Sequence, residues 1–156
     1  MKKYAIIGLG NPLRKDDGVG IVLLEKLQKG NDSSDEHIHY IDGGTGGMSL
    51  LPLFSDFDRI LFIDAVDMHK KPGAFQLLDY DEMKTKHYSF RHSTHEPNIL
   101  KVLMIAQQLG EFPKNISFFA IQPKELTFGN NLTSELQDHL DILLRNLKKE
   151  IKNFIK

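Results

Sequence analysis

Between Arg59 and Asp64 stand four consecutive large apolar residues, Ile60-Leu61-Phe62-Ile63. An unbroken apolar run of this kind marks a strand buried on both faces, and such strands belong to sheets covered by helices above and below. The rest of the chain supplies the other strands and the covering layers. Tyr4–Gly8 is a short apolar run closed by Gly-Leu-Gly-Asn-Pro, a strand followed by a turn. From Val19, the residues Val19, Val22, Leu23 and Leu27 recur at helical spacing and end near Gly30. Ile38–Ile41 alternates and meets Asp42-Gly43-Gly44-Thr45-Gly46-Gly47. Gly73–Leu78 follows Ile60–Ile63 after a connection too short for a crossover helix, so these two strands are expected to pair antiparallel. Tyr80–Arg91 is polar and mixed and yields no assignment. Ser93-Thr94-His95-Glu96 reads as a capping box for a helix carrying Ile99, Leu100, Leu103, Ala106 and Leu109, with Pro97 in its first turn. Ile116–Ile121 is the last strand. A final helix from Thr133 or Ser134 puts Leu136, Leu140, Leu143, Leu147, Ile151 and Phe154 on one stripe. Strands alternating with helices predict an α/β fold, a mostly parallel sheet sandwiched between helices.

Composition narrows the function. The chain has 156 residues, the length of one domain, and nothing in it suggests a linker, so residues 1–156 are read as a single domain. Lys+Arg number 20 against 21 Asp+Glu. That balance lacks the basic footprint of a nucleic-acid binder. No apolar run approaches the ~18 residues of a membrane span, and the first residues show no long apolar segment with a small-residue cleavage site. A cytoplasmic location is therefore expected. The absence of cysteine excludes disulfides, thiol nucleophiles, iron–sulfur ligation and cysteine zinc sites. The lysines of the last helix (Lys148, Lys149, Lys152 and Lys156) flank a stripe better explained as the face covering the sheet than as a membrane contact.

In α/β folds ligands bind at the edge where the parallel strands end. Asp16-Asp17 follows the first strand, Asp42 ends the second, Asp64 ends the apolar run of the third, and His95 opens a helix. A carboxylate closing an all-apolar strand is costly to bury unpaired, so Asp64 calls for a cationic or metal partner. One of Asp16 and Asp17 is expected to cap the following helix. A helix N-terminus disfavours the imidazolium, which leaves His95 neutral near pH 7, the form that ligates metal. Two carboxylates and one imidazole would make a mixed oxygen–nitrogen site with vacant positions, suited to nickel, zinc, cobalt or iron and to metal-assisted hydrolysis. Familiar signatures are missing: Gly8-Leu9-Gly10 runs on to Leu13 where a dinucleotide fingerprint needs glycine, and Ile99 stands where a zincin needs its second histidine. The Gly43–Gly47 stretch reads either as a strand-to-helix turn or as a backbone surface that an extended peptide can approach.

Gly8-Leu9-Gly10-Asn11-Pro12-Leu13-Arg14-Lys15-Asp16-Asp17-Gly18-Val19-Gly20 resembles the opening block of the hydrogenase maturation endopeptidases, enzymes that trim the C-terminal extension from the large subunit of nickel–iron hydrogenases. Asp42–Met48 resembles their second block, Ile63-Asp64-Ala65-Val66-Asp67 the third, Ser93-Thr94-His95 the fourth, and Ile121-Gln122-Pro123 with Leu132-Thr133 the closing segment. The blocks run in order along nearly the whole chain. The resemblance implies a three-layer sandwich whose mixed, mostly parallel five-stranded twisted sheet lies between helices. It implies nickel ligands at Asp17, Asp64 and His95, with Asp17 and Asp64 also catalytic, although His92 lies close to His95. It implies that Asp42, Gly43, Gly44, Thr45 and Gly46 recognise the substrate. That substrate would be a hydrogenase large-subunit precursor arriving with its nickel already bound, and the enzyme would act as a monomer with neither nucleic acid nor membrane as partner.

Two rivals share parts of this pattern. A phosphoacceptor receiver domain would use Asp16, Asp17 and Asp64 with magnesium, but it needs no histidine, has no role for Gly43–Gly47, and carries Lys-Pro where this chain has Pro123-Lys124. Peptidyl-tRNA hydrolase opens with a similar Gly-Leu-Gly-Asn-Pro, but it needs a basic surface and an early catalytic histidine. The first histidine here is His37.

Overall fold

The computed structural model describes residues 1–30, 35–89 and 98–156. Along the chain come β1 (Tyr4–Gly8), a 3-10 turn (Lys15–Gly18), α1 (Val19–Lys29), β2 (Ile38–Asp42), a 3-10 segment (Met48–Asp56), β3 (Arg59–Ala65), β4 (Phe75–Asp79), α2 (Tyr80–Thr85), α3 (Ile99–Gln108), β5 (Asn115–Ile121) and α4 (Ser134–Phe154). The strands form one sheet in the order β2-β1-β3-β5-β4. All neighbours are parallel except β4 and β5.

Side chains alternate across the strands and feed two separate apolar clusters. Ile60 and Phe62 of β3, with Ala5 and Ile7 of β1, face Leu50 and Phe54 of the Met48–Asp56 segment, Tyr80 and Met83 of α2, and Val102 and Leu103 of α3. Leu61 and Ile63, with Ile6, face Leu23 and Leu24 of α1 and the α4 stripe Leu136, Leu140, Leu143, Leu147 and Ile151. The expected sandwich is therefore present, with α1 and α4 on one face and the Met48–Asp56 segment, α2 and α3 on the other. Between β2 and β3 the covering element is 3-10 rather than α, with Pro52 inside it, where the missing N–H withholds a helical hydrogen bond.

Three local expectations need correction. β4 is antiparallel, but its partner is β5, with Leu78 opposite Phe118, and β5 separates it from β3. β5 (Asn-Ile-Ser-Phe-Phe-Ala-Ile) is apolar on both faces and takes an interior place; β4, with Leu77 and Asp79 exposed, tolerates the edge. The connection crosses the end of β5, where the Val66 amide donates to the Ile121 carbonyl (2.9 Å) and the Gln122 amide to that of Ala74 (2.8 Å). Second, α3 begins at Ile99 rather than in the Ser93–Pro97 stretch: Asn98 is the N-cap, its side chain accepting from the Lys101 amide at 3.1 Å. Asn98 offers an acceptor directly before the apolar run, whereas Ser93–Glu96 lies outside the described residues. Third, the unassigned stretch contains α2, closed by a reciprocal box in which Asp79 Oδ1 accepts from the Glu82 amide (2.8 Å) and Glu82 Oε1 from the Asp79 amide (3.1 Å).

Candidate active site

The first crossover carries the chain from β1 out to β2, and the second returns it past β1 to β3. The loops leaving β1 and β3 therefore part at the β1–β3 boundary, the switch point outside the carboxyl ends of the strands where such sheets bind ligands. α1 begins immediately behind it. A Cβ on Gly20 would lie 2.2 Å from the Ile63 carbonyl oxygen and 2.5 Å from that of Leu9, so only glycine lets the helix start so close to the sheet.

Asp17 and Asp64 flank the first residues beyond β1. The Leu9 amide continues the ladder by donating to the Ile63 carbonyl at 2.9 Å, which places Asp64 beside Leu9. Gly10, at φ 140, packs on the main chain of Asp17, where an added Cβ would meet the Asp17 carbonyl oxygen at 1.9 Å. Asp17 Oδ2 accepts the Asn11 amide at 2.9 Å. Both carboxylates are about 1% exposed. Asp64 lies within β3 rather than at its end, opposite Ala120, and shares the face of Ile60 and Phe62. The structure thus brings two of the expected ligands to one edge. His95 falls outside the described residues, and among those described no group of three metal-ligating side chains forms.

Asp16 departs from expectation. Neither it nor Asp17 caps α1, whose N-cap is Gly18 without a side-chain bond. Asp16 is fully buried and accepts from the amides of Lys124 (2.8 Å), Glu125 (3.1 Å) and Thr133 (2.8 Å) and from the Thr133 hydroxyl (2.8 and 2.9 Å to its two oxygens). Three more bonds brace the loop after β1 against the one after β5: Lys15 amide to Gly129 carbonyl (3.1 Å), Gly129 amide to Leu13 carbonyl (2.9 Å) and Asp16 amide to Glu125 carbonyl (3.1 Å). A receiver domain needs this carboxylate for magnesium; here its oxygens are already filled by chain donors, and that alternative fails.

The glycine block forms the other wall. The Gly43 amide donates to the Gly8 carbonyl (2.8 Å) and the Gly10 amide to that of Gly44 (2.6 Å), so the block extends the β1–β2 pairing past the strand ends. Asp42 Oδ1 accepts the Gly44 amide at 2.9 Å, a local turn that fixes the block. Thr45 is exposed, and Gly46 lies against Leu9 and Ile99.

Sequence reasoning gave Gln122 no role of its own. Nearly buried, it accepts from the amides of Met68 (2.7 Å) and Lys70 (3.3 Å) through Oε1 and donates through Nε2 to Asp67 Oδ1 (3.1 Å) and the Pro123 carbonyl (3.1 Å). It therefore fixes the loop that follows Asp64. Asp67 also accepts the His69 amide at 3.0 Å, and that bond, with the one from Gln122, holds its carboxyl below the usual aspartate value. The Asp67 backbone in turn pairs with Ser89. A polar residue closing the apolar run of β5 is the same signal that singled out Asp64.

A family model described as hydrogenase maturation protease matches residues 21–150. The chain is 31% identical over 136 residues to the hydrogenase expression/formation protein HupD of Thiocapsa roseopersicina, an alignment that covers 86% of this chain and 61% of that one, so it spans less than two thirds of that relative's length. It is 27% identical over 146 residues to the hydrogenase 2 maturation protease of Escherichia coli K12, covering 93% of this chain and 88% of that one. The solved structure of the E. coli hydrogenase maturating endopeptidase HybD shares the fold at a TM-score of 0.84, with 24% identity over 97% of this chain and 93% of that one. With two buried carboxylates at that switch point, and with the family model matching most of its length, this chain belongs to the hydrogenase maturation protease family.

Proposed function

We propose that the chain is an endopeptidase that removes the C-terminal extension from a nickel–iron hydrogenase large-subunit precursor, and that it recognises the nickel already held by that precursor. The observation that carries this reading is the burial of Asp17 and Asp64 on either side of Leu9–Gly10, at the β1–β3 boundary, in a chain of this protease family. Two buried carboxylates at one edge offer oxygen donors to a divalent cation. With the imidazole of His95, which the sequence resemblance supplies, the chain offers three ligands, leaving the rest of the coordination sphere to the precursor. Nickel borne by the substrate supplies a Lewis acid and a recognition feature. Asp17 and Asp64 bind and orient it. One ionised carboxylate accepts the proton of the attacking water, and that proton passes to the departing amine as the peptide bond breaks. The glycine block, held against β1, offers main-chain groups with little side-chain obstruction to an extended substrate segment.

The test is cleavage of purified precursor, followed by mass spectrometry, with nickel-loaded and nickel-free substrate side by side. The loaded form should be trimmed and the free form left intact. Asp64→Asn and His95→Ala should each lower the rate by about 100-fold or more while keeping the wild-type circular dichroism. Trimming of loaded precursor by His95→Ala at the wild-type rate would overturn the ligand assignment.

A further inference from the structure

Apart from Met1, the two most exposed large apolar side chains among the described residues are Phe128, at 79%, and Leu13, at 61%. Single exposed apolar residues are ordinary, but these two sit on the paired loops that Asp16 locks together beside Asp17. Their backbones are not free to turn them inward: the Leu13 carbonyl accepts the Gly129 amide, and Arg14 forms a bridge with Gly129. Arg14 donates through Nε to the Leu126 carbonyl at 3.1 Å and stacks its guanidinium 4.9 Å from the centre of the Phe128 ring. Phe128 stays exposed in spite of that cover. Among the described residues Arg14 forms no salt bridge, and its side chain makes one hydrogen bond there. The result is two exposed apolar side chains on braced, paired loops, with Arg14 stacked on one and next in sequence to the other.

We propose that Leu13, Arg14 and Phe128 form a docking platform for the substrate segment flanking the scissile bond. The occupant is an extended stretch with a large apolar side chain seated against Leu13 and Phe128 and main-chain carbonyls accepting from Arg14. This rests on the protease reading above. Continuity with the candidate site selects that occupant: Leu13 and Arg14 stand on the loop that carries Asp17, so a protein substrate engaged at Asp17 lies next to them. Exposed aromatic and arginine side chains on a preorganised frame are also the usual anchors of protein contacts.

The experiment measures cleavage of nickel-loaded precursor by wild type, a Leu13→Ser/Phe128→Ser variant and an Ile142→Ser control, the last altering a comparably apolar side chain on α4 that is 48% exposed. The double variant should raise KM by about tenfold or more, with kcat within about twofold of wild type and the melting temperature unchanged; the control should move neither constant. An unchanged KM overturns the platform. Photo-crosslinking of precursor to p-benzoylphenylalanine in place of Phe128 separates the two readings. A crosslink without wild-type cleavage sinks the protease and keeps the platform, and neither crosslink nor cleavage sinks both. Sedimentation of the same variants closes the remaining route: a wild-type dimer dissociated by the double change, with KM unmoved, makes the occupant a second copy and overturns the proposal.

Discussion

Asp16 gives its carboxylate to Lys124, Glu125 and Thr133, whereas Asp17, the next residue, receives the Asn11 amide at the β1–β3 boundary. Adjacent and equally acidic, the two separate into a brace and a candidate ligand. Asp16→Ala should therefore cost about 2–4 kcal/mol, because it removes the fully buried carboxylate on which three amides and a hydroxyl converge. Asp17→Asn keeps an acceptor for Asn11 and should stay within about 1 kcal/mol of wild type. Urea denaturation of the two variants checks the contrast, and equal losses would mean that Asp16 is not the brace. The buried place of Asp64 at the strand's carboxyl edge was legible in the sequence because a charge stands out at the end of an apolar run. Asp16 was not, because its partners lie more than a hundred positions away and no local pattern points to them. Thr133 shows the cost of the same long reach: its hydroxyl serves Asp16, and α4 starts without a side-chain cap.

At the scale of elements, the strands and long helices followed from periodicity, and the errors fell where a choice depended on a distant neighbour. β4 was oriented correctly but given the wrong partner, because strand order is decided by which strand can bear an edge. α2 was legible in principle from Asp79-Tyr80-Asp81-Glu82, a capping pattern hidden by the polar residues around it. The loop after β3 makes a testable element of its own. His69, at φ 58, is held in the left-handed region by its amide bond to Asp67, which Gln122 also clamps. Because the Asp67 carboxyl titrates below its ordinary value of 3.8 when folded, its stabilising contribution is complete above that value and is lost as pH falls through the lowered one. Hydrogen exchange at the His69 amide should accelerate, relative to its intrinsic rate, as acid is added below about pH 4. An Asp67→Asn variant should show no such transition in that range, and a transition that persisted in it would assign the effect elsewhere.

The molecule as a whole rests on two apolar clusters separated by one sheet, and the sheet makes them share a fate. Leu143→Ala on the α1–α4 side and Leu103→Ala on the α3 side each remove a fully buried side chain, at a cost of about 3 kcal/mol. Their effects should add in the double variant, within about 0.5 kcal/mol. Calorimetry should still give one transition, since β1, β3 and β5 belong to both clusters; two separate transitions would contradict that. The two-sided core was readable from Ile60–Ile63 alone. The closure of the site was not, because it depends on loops that meet only after the sheet has formed.

The amide bonds that join Gly10 to Gly44, Leu13 to Gly129 and Asp67 to Ser89 all lie at the carboxyl edge of the sheet. The turn at Gly110–Glu111 lies at the opposite edge, and its amides bond only to the end of α3; a Cβ on Gly110 would meet nothing within 4 Å. A reporter domain or surface tether inserted there would be separated from the candidate site by the full length of β5. The protein could then be immobilised or made fluorescent at one end while its substrate is read at the other.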